Sequence, residues 1–277
     1  MPKAFALLLF STLGAAPLAA QDVAPAARKP LADNSFLLEE AYNQEAGVVQ
    51  HISSFVRTKD QKGWAYSFTQ EWPVRGQRHQ LSYSVPLAQT SDGVTTGLGD
   101  VMINYRLQVL QDEDRGLAIS PRLSLSLPTG DYKRGLGVGG TGVQANLPMS
   151  KTIGTSLVSH TNAGATWFPK APGAGDSSTS LRAVALGQSF IWLATPRFNV
   201  MLEATWGRTT AQFDGGTTST ESALVSPGIR WGYDFKSGLQ VVPGIAFPIG
   251  VGPSRGTRQL FLYLSFEHPF TAHARPQ

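Results

Sequence analysis

The sequence predicts an all-β fold, a single closed antiparallel transmembrane β-barrel of about twelve strands with short periplasmic turns and longer extracellular loops. Three observations predict it: side chains that alternate apolar and polar with period two, links that alternate short and long, and an N-terminal export leader. Period-two alternation gives a strand one apolar and one polar face.

The leader is "MPKAFALLLFSTLGAAPLAAQD". Lys3 supplies a positive start, Ala4 to Leu13 an apolar run, and Ala19 and Ala20 a small-residue cleavage site, so residues 1–20 read as a signal peptide. The run is too short to cross a bilayer as a helix. The chain has no cysteine, which excludes lipid attachment through a thiol and any disulfide. Residues 21–45 read as a periplasmic lead-in, with "SFLLEEAYNQE" (35–45) as a short helical or irregular piece. The barrel occupies 46–270 and a short periplasmic tail 271–277.

Within the barrel, "VMINYRLQV" (101–109) and "LAISPRLSLSL" (117–127) carry the clearest alternation. Val101, Ile103, Tyr105, Leu107 and Val109 share one parity, and Leu123, Leu125 and Leu127 continue it; Asn104, Arg106, Arg122 and Ser124 take the other. The same reading along the chain gives strands at 46–55, 63–72, 78–87, 99–110, 116–127, 138–149, 153–168, 180–193, 197–208, 221–233, 239–249 and 257–270. Many approach the ten or so residues that a tilted membrane strand needs. "WPVRGQ", "QDEDRG", "MSKT", "ATPR" and "DFKSG" are short links. Between them lie the Gly, Ser and Thr-rich "AQTSDGVTTG", "PTGDYKRGLGVGG", "PKAPGAGDSSTS", "TTAQFDGGTTST" and "GVGPSRGT". A barrel in an outer membrane has this asymmetry because one rim carries tight turns and the other carries loops. Trp64, Tyr66, Phe68, Trp167, Trp206, Trp231 and Tyr233 cluster toward strand ends, where an amphipathic ring sits at the membrane–water boundary. The apolar side therefore faces lipid and the polar side lines the interior; closure satisfies the backbone and removes open edges.

Net charge is +4, and +3 once Lys3 leaves with the leader. The charges are scattered, with no basic tract to follow a phosphate backbone, so nucleic acid is not a partner. "GLGVGG" (135–140) satisfies G-x-G-x-x-G, but strand-like alternation follows where a dinucleotide site needs a helix, so it reads as a loop and no cofactor is expected. No two histidines stand at metal-ligand spacing. His160, Asn162 and a neighbouring serine imitate a nucleophile set, but their parity is inward and away from lipid, so no catalytic residue is assigned.

Parity places Glu71, Arg106, Arg122, His160, Asn162, Glu203, Arg230 and Glu267 on the interior side. Buried charges need partners or water. These eight are candidate pore-lining residues, or else members of a polar network that fills the lumen. Both readings stay open, because twelve strands lie between the eight that side chains fill and the sixteen that leave a channel. His51 has no settled phase.

Several stretches, "SFLLEEAYNQEAGVVQHI" (35–52), "SFTQEWPVRGQRHQLSYSVP" (67–86), "GLGDVMINYR" (97–106), "SPRLSLSLPTGDY" (120–132) and "SPGIRW" (226–231), resemble a family of Gram-negative outer-membrane proteins named for the MetA pathway of phenol degradation. The resemblance runs over almost all of the mature chain. It implies an outer-membrane barrel acting as a passive channel for small solutes, aromatic or hydrophobic compounds among them, with no binding residues to carry over. The alternatives are a non-transporting barrel, structural or lipase-like, and a soluble periplasmic ligand binder of the lipocalin kind with inverted polarity. Outer-membrane lipid, a small solute and the barrel assembly machinery are the expected partners. The last would read the final strand, "QLFLYLSFEHPF", which ends on Phe270.

Overall fold

A computed structural model describes residues 34–172, 178–213 and 215–269. The expected signal peptide, Phe270 and the tail after it lie outside these residues. Twelve antiparallel strands follow one another around the barrel. They are β1 (Val48–Thr58), β2 (Trp64–Pro73) and β3 (His79–Gln89); β4, in three pieces (Thr96–Leu98, Met102–Leu107, Leu110–Asp112); and β5, in two (Leu117–Ile119, Arg122–Ser126). Then come β6 (Gly142–Ile153), β7 (Leu157–Pro172), β8 (Ser178–Thr195) and β9 (Phe198–Phe213). The last are β10 (Gly216–Trp231, continued by Tyr233–Asp234), β11 (Gln240–Ala246 and Ile249–Gly250) and β12 (Gln259–Pro269). Each strand pairs with its sequence neighbours, and β1 pairs with β12 from Val48↔Pro269 to Thr58↔Gln259, which closes the sheet.

The breaks in β5 and β11 have a chemical cause. Pro121 and Pro248 lack an N–H, so the regular ladder stops there. The chain stays stitched by Leu107 N–H to Pro121 O (3.0 Å), Phe247 N–H to Pro227 O (3.0 Å) and Gln259 N–H to Pro248 O (2.9 Å).

The alternation is resolved as apolar outward. Leu123 keeps 64% exposure, Leu186 55% and Ile103 49%, whereas the intervening Arg106 and Ser124 are buried. A soluble ligand binder would show the reverse. The chain therefore has an outward apolar band, as a barrel in lipid requires. Replacing Leu123 with Arg should cost about 2–4 kcal/mol if the residue lies near the bilayer midplane. Refolding titrations into vesicles check this, with Leu123→Phe as the neutral comparison.

Two expectations from the sequence need correction. "PKAPGAGDSSTS" and "TTAQFDGGTTST" were expected to be loops, yet most of their residues continue the strands β7–β8 and β9–β10, which run 16 to 18 residues. Thr, being β-branched, suits a strand, and no apolar alternation is needed above the lipid. The interior is also not polar all round. On β1, β11 and β12 the inward set includes Ile52, Val56, Val242, Ala246, Phe261 and Tyr263, which form an apolar patch.

The register settles His51 as outward-facing: it alternates with the buried Gln50 and stacks on His268 and Phe68 at 5.3 and 6.0 Å between ring centres.

Candidate functional site

The interior is crossed by the chain's own N-terminal stretch. Residues 34–45, expected below the barrel as a periplasmic lead-in, run inside it without forming a helix. Their backbone is held by inward side chains of successive strands. Phe36 N–H and Leu37 N–H donate to Glu203 Oε1 on β9 at 3.1 and 3.0 Å. Glu39 N–H donates to Asn162 Oδ1 on β7 (3.0 Å), and Asn162 Nδ2 returns a bond to Glu39 O (2.7 Å). Ala41 N–H donates to Ser150 Oγ on β6 (2.7 Å), while Ser120 between the pieces of β5 and Gln108 between the pieces of β4 donate to Ala41 O, each at 2.8 Å. Gln44 N–H reaches Gln80 Oε1 on β3 (2.7 Å). A segment with no secondary structure must satisfy its peptide groups somehow, and here wall side chains do it.

Its two halves differ. The N-terminal half is keyed by shape. Phe36 stacks on Phe261 (5.4 Å) and tilts against Tyr263 (5.1 Å). Its ring fills a bay left by Gly228 and Gly244, and Leu38 fills another over Gly187; a Cβ on Gly228 would lie 3.0 Å from the Phe36 ring, and one on Gly244 or Gly187 would collide with the segment. Overpacking of this kind displaces the neighbour or strains the wall.

The C-terminal half is held by charge. In the register Arg106 on β4 stands directly opposite Arg122 on β5. Like charges facing each other across strands repel. The segment supplies what separates them. Arg122 Nε donates to both Glu39 oxygens (3.0 and 2.8 Å), its Nη2 lies 2.7 Å from Glu39 Oε1, and its remaining donors serve Asn104, Ser124 and Gln144. Arg106 donates to Asn43 Oδ1 (3.0 Å), Glu40 O (3.1 Å) and Tyr42 O (2.9 Å) and lies 3.5 Å from Glu71 Oε2. A guanidinium's five donors suit this many-sided grip. The Glu39 side chain keeps 30% exposure, so water reaches the middle of the barrel.

All eight residues singled out by parity sit on inward positions, in four groups. Glu71, Arg106, Arg122 and Asn162 belong to the clamp on the segment, with Gln80 Nε2 donating to Glu71 (2.7 Å). His160 Nδ1 is hydrogen-bonded to Ser150 Oγ (2.7 Å), the oxygen that also accepts Ala41 N–H, and its ring meets Tyr42 edge-on at 6.4 Å. His160 is fully buried, which keeps it from the lipid face that a lipase-like site would need. Glu203 and Arg230 are buried beside the Phe36 bay; Asn199, with its amide oxygen toward Arg230, accepts from Nη2 at 3.3 Å. Glu267 Oε1 accepts from Gln50 Nε2 (2.6 Å), and Gln50 Oε1 in turn accepts from Gln44 Nε2 (2.5 Å). Parity found the wall but not its occupant. Phe36, Leu38, Glu39 and the glycines 187, 228 and 244 were missed. Among the described residues no cluster of metal-ligating side chains occurs.

Comparison with known proteins agrees with this architecture. A family model described as "Putative MetA-pathway of phenol degradation" matches residues 33–266. No curated protein matches the sequence. Among solved structures, the COG4313 outer membrane channel from Pseudomonas putida F1 is similar over 82% of this chain and 97% of its own, at 14% identity and TM-score 0.66. The NanC porin is similar over 78% of this chain and 98% of its own, at 8% identity and TM-score 0.52. At these identities the likeness is one of fold, that of outer-membrane channels.

Proposed function

Since the chain belongs to the MetA-pathway family just described and has an outer-membrane channel fold, we propose that it is a passive channel for small solutes across the outer membrane. Its passage is narrowed by residues 34–44. The observation that carries this reading is the grip on those residues: it is mostly hydrogen bonds and ion pairs to wall side chains, around a carboxylate that water reaches. A typical hydrogen bond contributes only about 0.5–1.5 kcal/mol net, because water takes over when it breaks. A segment held this way can shift within the lumen, whereas a core packed by apolar side chains resists. The arginines and glutamates of the clamp would set a transverse field on whatever passes. The apolar patch on β1, β11 and β12, which Phe36 covers, becomes a second, dry wall of the lumen when the segment shifts, which supports aromatic or hydrophobic compounds among the solutes.

Swelling of protein-loaded liposomes in phenols, aromatic acids and sugars, run side by side, tests the proposal. Entry of small phenols and aromatic acids faster than sugars of similar size is the expected result. A correctly folded barrel that admits none of these solutes, and shows no conductance in planar bilayers, would overturn it.

A further inference from the structure

At the extracellular end of the β1–β12 closure the barrel carries a cleft of about 410 Å³, lined by Arg57, Lys59, Asp60, Arg258 and Leu260 among others. We propose that this cleft binds the phosphate of a glycolipid of the outer leaflet, with the lipid's acyl chains lying on the apolar shelf below. Three observations carry the inference.

The first is direction. Gln50 and Ile52 face inward on β1, so Arg57 has outward parity. In the register Arg57 lies between Trp64 of β2 and Leu260 of β12. It stands two residues above Phe55, which stacks on Trp64 at 6.0 Å between ring centres and faces Leu262 across the strand pair. A cation flanked by Trp and Leu on a lipid-facing surface stands where the hydrocarbon ends and headgroups begin.

The second is charge. Arg57, Lys59 and Arg258 are exposed and make no ion pair among the described residues, and Asp60 is the one carboxylate lining the cleft. Elsewhere on this rim Arg208 is paired with Glu221 and Arg134 with Asp131. Three unpaired cations around one cleft match a phosphate, which a guanidinium can grip with two parallel hydrogen bonds.

The third is rigidity. Lys59 N–H donates to Arg258 O (2.7 Å) and Gln61 N–H to Thr58 O (3.3 Å), so the two chain segments that carry the cations are tied to each other. The backbone that carries the cations is therefore already in place when a ligand arrives, and only their side chains have to be ordered. The apolar shelf decides between sources of phosphate, because a free anion has no use for Phe55, Leu260 and Leu262.

The test is retention of lipid by the full-length protein extracted from outer membranes in mild detergent. Phosphorylated glycolipid per barrel is measured by mass spectrometry and phosphate assay. The wild type is expected to retain it, and the Arg57→Gln, Lys59→Gln, Arg258→Gln triple variant to lose it. Affinity for added glycolipid should fall about fivefold for each cation removed. A reference variant, Arg182→Gln with Arg208→Gln, should retain lipid as the wild type does. Heat-dependent gel migration verifies folding, and Arg258→Gln alone gives a graded loss if the triple variant fails to assemble. Equal retention by the triple variant, or equal loss in the reference, overturns the proposal. Inorganic phosphate binding as tightly as the glycolipid would make this a free-anion site and also overturns it, as would a protein partner that depends on the three cations while lipid retention does not.

Discussion

Deleting residues 34–44 from the exported chain is expected to raise single-channel conductance several-fold, since these residues occupy the lumen space between the inward side chains of β3, β6, β7 and β9. The strand ladder does not depend on these residues: closure runs through β1 and β12, and β1 begins after them. What the deletion removes is the occupant of the Gly228–Gly244 bay and the partner of Asn162, Ser150, Gln108 and Gln80. Those groups are on the wall of a lumen that water would then enter, so they exchange one polar partner for another. Phe36 leaves an apolar contact worth about 1.5–3 kcal/mol, a loss the barrel should tolerate. Selectivity should move as well. The segment takes the Glu39 and Glu40 carboxylates with it and leaves Arg106 opposite Arg122, so anions gain. Gly244→Val should act in the same direction with a smaller effect, because its side chain would strike the Phe36 ring and leave the charged clamp in place. Conductance unchanged by the deletion would mean that another part of the chain closes the lumen.

The barrel wall was legible in the sequence because a strand reports its two faces locally. Ile103, Leu123 and Leu125 against Asn104, Arg106 and Ser124 required only a parity count, and the structure puts them on opposite sides. The lumen segment was not legible for the opposite reason. "SFLLEEAYNQE" carries no period that matches its final state, since its backbone is held by side chains remote in sequence; Phe36 and Glu203 are separated by 167 positions. The glycine bays are equally silent: Gly187, Gly228 and Gly244 read as ordinary strand glycines until the ring or methyl that fills each is known. One signal was available. Two inward arginines on consecutive strands, Arg106 and Arg122, require an anion between them, and Glu71 is the one nearby strand carboxylate in the inward set. The acidic pair Glu39–Glu40, just before the first strand, was the natural source of the missing charge.

That electrostatic requirement makes Arg106 the wall residue whose loss should matter most. Arg106→Met is expected to destabilise the closed arrangement by about 3–5 kcal/mol, the usual cost of removing one partner from a buried ionic network. Asn43 Oδ1 and the carbonyls of Glu40 and Tyr42 lose their donors, while Glu71, Glu40 and Glu39 lose the cation they surround. The barrel has a way to relieve this that a sealed core lacks. The segment can withdraw and water can solvate the freed carboxylates, so part of the cost should appear as raised conductance and only part as a lower unfolding temperature. Adding Glu71→Gln removes one orphaned charge and should recover some thermal stability without restoring closure, because the Glu40 and Tyr42 carbonyls still lack a donor. Arg122→Met should leak less, since Asn146 Nδ2 also donates to Glu39 Oε1 (3.0 Å) and holds that carboxylate in place. Heat-dependent gel migration and bilayer conductance on the same preparations separate the two effects. Loss of thermal stability in Arg106→Met with no rise in conductance would show that the segment stays seated without its arginine, and that shape at the Phe36 bay, rather than charge at the clamp, keeps the lumen closed.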